Sequence, residues 1–532
     1  MNGTIQIRDI LRLALLLTTI VVSQVHAADY FVDQNHPNAN DSNPGTIVSP
    51  WKTIAKANLA LMAGDTVYIK TGTYSTYIAP SRSGTASSPI TYRNYGGDTI
   101  TISNSTNGIL LDGKSYIVVQ GINFTNLDSF LVIQNSATHN IIAYCNFSQG
   151  RNMGWSGSAI INGSSYNWVH DNQFSKYGSI STSASGSVLD IGTEESSTDN
   201  TMYNLIENNT MFHGGHHVIG IFGKFNVVRN NYFHNESWSN GYGYRVVYVN
   251  GLPINSGWNL IEGNRIGYAG ASYTASINSA GLLLANTHNI LRKNSFFYND
   301  GSGIAMSLTA SYISDIVYNK IYNNSFLHNG WDPKQIPDAM TSAIGFGNYG
   351  GSWIIKYNSI KNNIFYDHYQ MYGYYHVQAA DQTFSGNWND STHGDPKFVN
   401  ASKNIGDPTN ASLPDLHLLA GSPCIDAGTY LTNMTSAAGS GTVFQVQDAG
   451  YFVDGWSIVQ GDTIQLFGTT QRARITNINY STNTITVDRV MTWTQGQGIS
   501  LGYEGAAPDI GAYEDTSGQG PQLPAPTNLR IM

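Results

Sequence analysis

A short pattern recurs through the middle of the chain: Asn, two β-forming residues, a variable pair, a second Asn, one residue, then an apolar side chain. It stands as Asn167-Trp-Val-His-Asp-Asn172-Gln-Phe174, as Asn204-Leu-Ile-Glu-Asn-Asn209-Thr-Met211 and as Asn226-Val-Val-Arg-Asn-Asn231-Tyr-Phe233. Copies follow at 259–266 and 289–296, and weaker ones end at Phe124, Phe147, Phe326 and Phe365. The apolar markers are 22 to 39 residues apart. Periods of that size belong to a solenoid, in which each repeat packs only on its neighbours. A length of 532 residues would otherwise suggest three or four domains.

The repeats are β rather than helical. Each holds short Val, Ile, Tyr and Phe runs broken by Gly, Asn and Ser, and none carries a helical stripe. Unequal repeat lengths fit a coil with one constrained turn and another that accepts insertions. An Asn at the constrained turn can bond its amide to the Asn above and below. The expected fold is all-β: a right-handed parallel β-helix over about 100–400. The third residue after the first Asn is His170, Glu207, Arg229, Glu262 and Arg292 in turn. Alternating charge in one column predicts an exposed stack of cross-strand ion pairs.

Both ends carry further motifs. Tyr30-Phe-Val-Asp33 reads as a strand. Pro50-Trp51-Lys-Thr-Ile54 leads into an amphipathic helix, followed by Ala63-Gly-Asp-Thr-Val-Tyr-Ile69 and Gly72-Thr-Tyr74. Near the far end stand Gly394-Asp-Pro-Lys-Phe-Val399, Gly421-Ser-Pro-Cys-Ile-Asp-Ala-Gly428 and Ala507-Pro-Asp-Ile-Gly-Ala-Tyr-Glu514. These segments resemble the opening and closing of secreted proteins in the pectate-lyase-like β-helix superfamily. The resemblance implies a helix that plugs the open N-terminal end of the solenoid. It differs in one respect: about 70 residues separate the last two closing motifs. Their strand-like runs predict a small inserted β domain over 440–502. Trp456, Trp493 and Tyr503 are its candidate sugar contacts, against a plain spacer or cap. The expected division is a signal peptide at 1–27, cap and first coils at 28–100, and β-helix at 101–430. The insert, a closing segment at 503–517 and a linker-like tail at 518–532 complete it.

Arg8 and Arg12 precede the apolar run 13–22, and Val25-His26-Ala27 offers small residues for cleavage. This reads as a secretory signal, so an extracellular or periplasmic protein is expected. The alternative, a membrane anchor, has too short an apolar run. A net charge of −9 without a Lys/Arg run argues against nucleic-acid binding. A monomer is expected. Cys145 and Cys424 read as buried small hydrophobes in a chain permissive for a disulfide.

Chemistry concentrates between 211 and 248. The candidate catalytic residues are His213, His216, His217, Lys224, His234, Glu236 and Arg245. Trp155, Trp238, Tyr242, Tyr244 and Tyr248 are candidate walls for sugar rings. Tyr366-Asp-His-Tyr369, Tyr372-Gly-Tyr-Tyr375 and His376 either extend that groove or pack outside the solenoid. Glu194, Glu195 and Asp199 are candidate oxygen ligands for Ca²⁺. β-Elimination on a uronate needs a cation for the carboxylate, a base for the C5 proton and an acid for the leaving oxygen. Glu236, or a His, Lys or Tyr, is the expected base, with Arg245 and Lys224 holding carboxylates. The expected function is therefore lysis of an acidic polysaccharide. A glycoside hydrolase using Glu236 and a second carboxylate remains open. So does a non-catalytic glycan-binding surface or matrix protein. The chain lacks the Arg-x-Pro-x-x-Arg segment of Ca²⁺-dependent pectate lyases. It also lacks the Asn-Thr-Asp, Asp-Asp and Gly-His-Gly set of polygalacturonases and the Tyr-Gly-Phe-Asp-Pro-His signature of mannuronan epimerases. No catalytic residue is carried over from those families.

Overall fold

A computed structural model describes residues 27–151, 156–177, 186–194, 196–234, 247–249, 256–270, 280–308, 315–330, 341–350, 353–402 and 413–515. Three parallel sheets, with 13, 12 and 10 strands among those residues, wind into a β-helix. The Asn repeat builds the first two. Its β-forming pair and the next residue make a three-residue strand of the first sheet, such as Leu205–Glu207. A sharp turn then leads into the second sheet, as at Thr210–Gly214.

The Asn doublet at that turn divides two tasks. Asp171, Asn208, Asn230, Lys293, Asn323 and Asn362 take positive φ, between 49° and 56°. Gly263 takes the same place with φ 66°. Asn and Asp tolerate this left-handed region better than most residues. The second Asn is buried and bonds coil to coil. The backbone N–H of Asn209 donates to Asn231 Oδ1 at 2.8 Å, and its side-chain amide donates to the same oxygen at 3.0 Å. Asn231 repeats both bonds toward Asn264. A second ladder runs through Asn140, Asn167, Asn204, Asn226 and Asn259 where the chain enters the first sheet. Between the ladders, middle strand residues such as Ile206, Val228 and Ile261 fill the interior. The marker phenylalanines stack there: Phe124 on Phe147 at 4.7 Å and Phe147 on Phe174 at 4.4 Å.

The helix is Ile54–Ala60, capped by the Thr53 side chain and buried through Ile54, Ala57 and Asn58. Cys145 and Cys424 are both free and buried.

The C-terminal region packs against two sides of the solenoid. A six-stranded antiparallel sheet, running from Thr432–Asn433 to Gly498–Leu501, packs over the first sheet. Leu205, Val227, Leu260 and Ile290 point outward and share an apolar cluster with Ile464, Leu466 and Ile485. This corrects the expectation of an exposed charge column. The column register is His170, Glu207, Arg229, Glu262, Arg292, and the ion pairs form: Arg229 to Glu207 at 2.6 Å and Arg292 to Glu262 at 2.8 Å. Arg292 is 2% exposed, however, and its guanidinium also grips Asp462 through two bonds of 2.6 and 2.7 Å. Lys320 reaches Asp448 at 2.6 Å. The column is a docking seam.

The closing segment lies on the second sheet. Ile510 clusters with Tyr232, Phe297, Leu327 and Ile364, and Ala512 N–H donates to Ser325 Oγ at 3.0 Å. Gly511 has φ 106°, and a Cβ there would stand 2.6 Å from an Ile364 methyl carbon. That close approach explains the Gly of the Ile-Gly-Ala motif. Apolar residues on the third sheet form a separate outer cluster of Phe222, Tyr248, Ala280, Leu283 and Ala305. Of the expected signal peptide at 1–27, residues 1–26 lie outside the described residues. No described helix is long and apolar enough to cross a membrane.

Candidate functional site

The third sheet places two of the predicted histidines together. The strands Ser187–Ile191 and His217–Ile221 pair in register, with Ser187 opposite His217 and Asp190 opposite Gly220. His217 Nε2 lies 2.8 Å from Asp190 Oδ1. The other Asp190 oxygen accepts from Ser187 Oγ at 2.6 Å. His217 Nδ1 lies 2.9 Å from His216 Nδ1. Asp190 and His217 are buried, whereas His216 is half-buried. A Cβ on Gly220 would sit 2.4 Å from Asp190 Oδ1, so the glycine makes room for the carboxylate.

These partners fix the protons. With Nε2–H donated to Asp190, neutral His217 accepts from His216 Nδ1–H, leaving His216 Nε2 as the basic nitrogen. A carboxylate at this distance fixes the tautomer and the orientation of the imidazole. The Tyr248 ring stands 5.4 Å from His217 and 6.2 Å from His216. Its hydroxyl donates to Glu194 Oε1 at 2.5 Å. Phe222 meets Tyr248 at 5.5 Å. The outer cluster continues to Tyr349 and Tyr375, whose rings stack at 4.7 Å. A carboxylate–imidazole relay, a phenol–carboxylate pair and an aromatic strip therefore share one face.

Other expected residues fall elsewhere. His234 is buried in the second sheet between the rings of Phe212 at 4.6 Å and Tyr232 at 4.5 Å. His213 stands at the bend before the third sheet, φ 58°, with its ring 6.2 Å from that of His234. Lys224 lies past the far end of the His217 strand, in the turn toward the first sheet. Asp199 pins its own loop: it accepts from Thr193 Oγ1, Thr201 Oγ1, Thr201 N–H and Gly163 N–H. With Glu194 holding Tyr248, the described oxygens do not form a calcium cage. No group of three or more His, Cys, Asp or Glu suited to a metal exists among the described residues. Trp155, Glu195, Glu236, Trp238, Tyr242, Tyr244 and Arg245 lie outside the described residues.

In the C-terminal sheet, Trp493 and Tyr503 are buried, and Trp456 packs on Phe225 at 5.4 Å. Asp190 was not among the sequence candidates. Its signal was register: only pairing Ser187 with His217 brings Asp190 to the histidine.

Comparison with known proteins bears on the fold. Residues 30–186 match the model of the Pel9A-like right-handed β-helix region. A 103-residue segment is 35% identical to the uncharacterized protein YwoF of Bacillus subtilis, covering 18% of this chain and 22% of that protein. Another, of 80 residues, is 39% identical to pectate lyase PEL9 of Emericella nidulans, covering 15% of this chain and 19% of that one. The chain thus matches about a fifth of the length of each relative. The crystal structure of pectate lyase Pel9A superposes with a TM-score of 0.50 at 15% identity, over 92% of this chain and 98% of that one. The fold is that of the pectate-lyase-like right-handed parallel β-helix superfamily, and residues 30–186 carry the sequence pattern of its Pel9A-like region.

Proposed function

We propose that the chain is a secreted lyase that cleaves a uronate-containing polysaccharide by β-elimination on the outer face of the third sheet. The observation that carries this reading is the Asp190–His217–His216 relay beside Tyr248 and Glu194. His216 Nε2 takes the C5 proton, and Asp190 stabilises the imidazolium through His217. Tyr248, sharing its proton with Glu194, protonates the leaving oxygen. Arg245 is assigned to the uronate carboxylate on sequence grounds alone. The aromatic strip from Phe222 to Tyr375 offers ring faces and edges to the polymer. The names of two of the proteins it resembles, pectate lyase PEL9 and pectate lyase Pel9A, support the same class of reaction.

Asp190 and Glu194 also place two carboxylates on one coil, which suits hydrolysis. One experiment separates the readings. The full chain is incubated with pectate, alginate and glycosaminoglycans, with added calcium and with chelator. Rising ultraviolet absorbance from an unsaturated uronate establishes the lyase and names the substrate. New reducing ends without that absorbance establish the hydrolase. Neither signal leaves a glycan-binding protein.

A further inference from the structure

A cavity of about 1030 Å³ opens between the first sheet and the C-terminal β-sheet, on a different side of the solenoid from the Asp190 relay. One wall is the end of an aromatic column. The residue entering the first sheet, followed by a ladder Asn in every coil but the first, is Tyr116, His139, Tyr166, Tyr203, Phe225, Trp258, His288, Tyr318 and Tyr357 in successive coils, all with φ between 55° and 60°. Consecutive rings stack or, at Phe225–Trp258 and His288–Tyr318, tilt against each other, with centroids 4.3 to 6.1 Å apart. Side chains of this bulk rarely take that conformation, so the column stores strain that stacking offsets.

The C-terminal sheet covers the middle of the column: Trp456 meets Phe225 and Tyr480 meets Trp258. It then withdraws. Tyr318 and Tyr357 are 45% and 55% exposed, and they stack on each other at 5.4 Å. Both line the cavity. Tyr430, 37% exposed, also lines it.

The charges behind these rings do not balance. Lys320 and Lys361 both lie against the Tyr451 ring, at 4.8 and 5.1 Å. The cavity-lining carboxylate is Asp448, and Lys320 takes it at 2.6 Å. Lys361 donates to the Leu431 carbonyl at 2.8 Å, and among the described residues no carboxylate lies within ion-pair distance of it. Burial, and secondly Lys320, hold the Lys361 ammonium below its usual range. The cavity thus holds two ammonium groups and one carboxylate, which pairs with Lys320 alone, in a chain whose net charge is −9. A half-buried cation short of an anion, beside exposed phenol rings, suits a ligand with sugar-ring faces, hydroxyls and a carboxylate.

We propose that this cavity binds an acidic oligosaccharide at a site separate from the third sheet. Lys361 takes a uronate carboxylate, while Tyr318 and Tyr357 present ring edges and hydroxyls to the sugar. The inference stands on its own geometry, whether or not the third sheet is catalytic.

The test is calorimetric titration of the full chain with tetragalacturonate and tetramannuronate, with cellotetraose as neutral control. The titrations are repeated on Lys361→Met, Lys361→Arg and Tyr357→Ala and paired with hydrogen exchange by mass spectrometry. One acidic tetrasaccharide should protect peptides containing Tyr318, Tyr357 and 430–433 from exchange. Lys361→Met should weaken its binding by about tenfold, as expected for losing a charged hydrogen bond. Lys361→Arg should keep most of the affinity, and cellotetraose should bind no more tightly to wild type than to Lys361→Met. Unchanged thermal melting of the variants excludes misfolding. Protection confined to the third sheet, unaltered affinity in Lys361→Met, or no binding of either acidic sugar overturns the proposal. Turnover of a polymeric substrate, measured on the same variants, reports separately on the lyase reading.

Discussion

Asp190 and Asn231 show how much can rest on one polar side chain in a solenoid. Asp190 orients the buried His217 and, through it, the half-buried His216, with both its oxygens engaged. Replacing it with Asn keeps the volume but removes the anion that, in the proposed lyase mechanism, stabilises the imidazolium. Asp190→Asn should lower kcat by about 10² or more with KM little changed, as for loss of general-base function. Steady-state kinetics across pH would show it, and an unaltered kcat would remove the relay from the mechanism. His234 offers the matching control, since it stacks inside the second sheet. His234→Phe should leave the rate unchanged. Asn231 carries no chemistry, yet it accepts two bonds from Asn209 and donates to Ile206 O, Arg229 O and Asn264 Oδ1. Asn231→Ala strands several buried groups, each worth about 1–3 kcal/mol. Its urea midpoint should drop by the equivalent of about 3 kcal/mol or more.

Among the elements, the C-terminal sheet and the solenoid meet across an apolar seam pinned by Arg292 and Asp462. The pair is almost fully buried, at 3% and 8% side-chain exposure, and Tyr322 and Glu262 complete the network. The neighbouring carboxylates raise the Arg292 guanidinium further, while Arg292 holds Glu262 below the usual carboxylate range. Asp462→Ala would leave a buried cation with half its partners, costing about 3–5 kcal/mol. The double change Arg292→Met, Asp462→Leu should recover most of that loss, as denaturant titration would reveal. Full additivity of the two changes would contradict a coupled pair. The same seam marks the limit of what the chain alone discloses. The Asn doublets and phenylalanine markers report the first two sheets because each has one fixed task per coil. The cover over the first sheet also has a signal in the sequence. Leu205-Ile206, Val227-Val228, Leu260-Ile261 and Ile290-Leu291 are apolar at both of two successive strand positions. A strand wet on its outer face would alternate. The third sheet has no such marker. Insertions of unequal length precede its strands, so the pairing of Ser187 with His217, and with it Asp190, depends on loop lengths that periodicity does not constrain.

For the molecule as a whole, the closing segment ties the end of the chain back to its middle, and its last motif makes that tie sensitive to pH. Glu514 accepts the backbone N–H groups of Glu504 and Asp509. Burial, and secondly the Asp509 carboxylate, push its carboxyl up to about 7. An unfolded Glu titrates near 4.3, so between that pH and about 7 the folded chain binds the extra proton. Stability from this group is therefore complete below about pH 4.3 and is lost as pH rises through about 7. His288 and His368 have the opposite slope. Burial holds both down to about 4, so they stay neutral in the fold where an unfolded histidine would protonate. Their contribution is present above about pH 6.5 and fades as pH falls toward about 4. The two slopes oppose each other across mildly acidic pH, and above about pH 6.5 Glu514 acts without the two histidines. Glu514→Gln should therefore compare more favourably with wild type near pH 8 than near pH 5, by about 2–3 kcal/mol at most because the group is partly solvated. Urea unfolding of wild type and variant at both pH values measures the difference. An equal effect at the two pH values would mean that Glu514 acts through its hydrogen bonds to Glu504 and Asp509 and not through its proton.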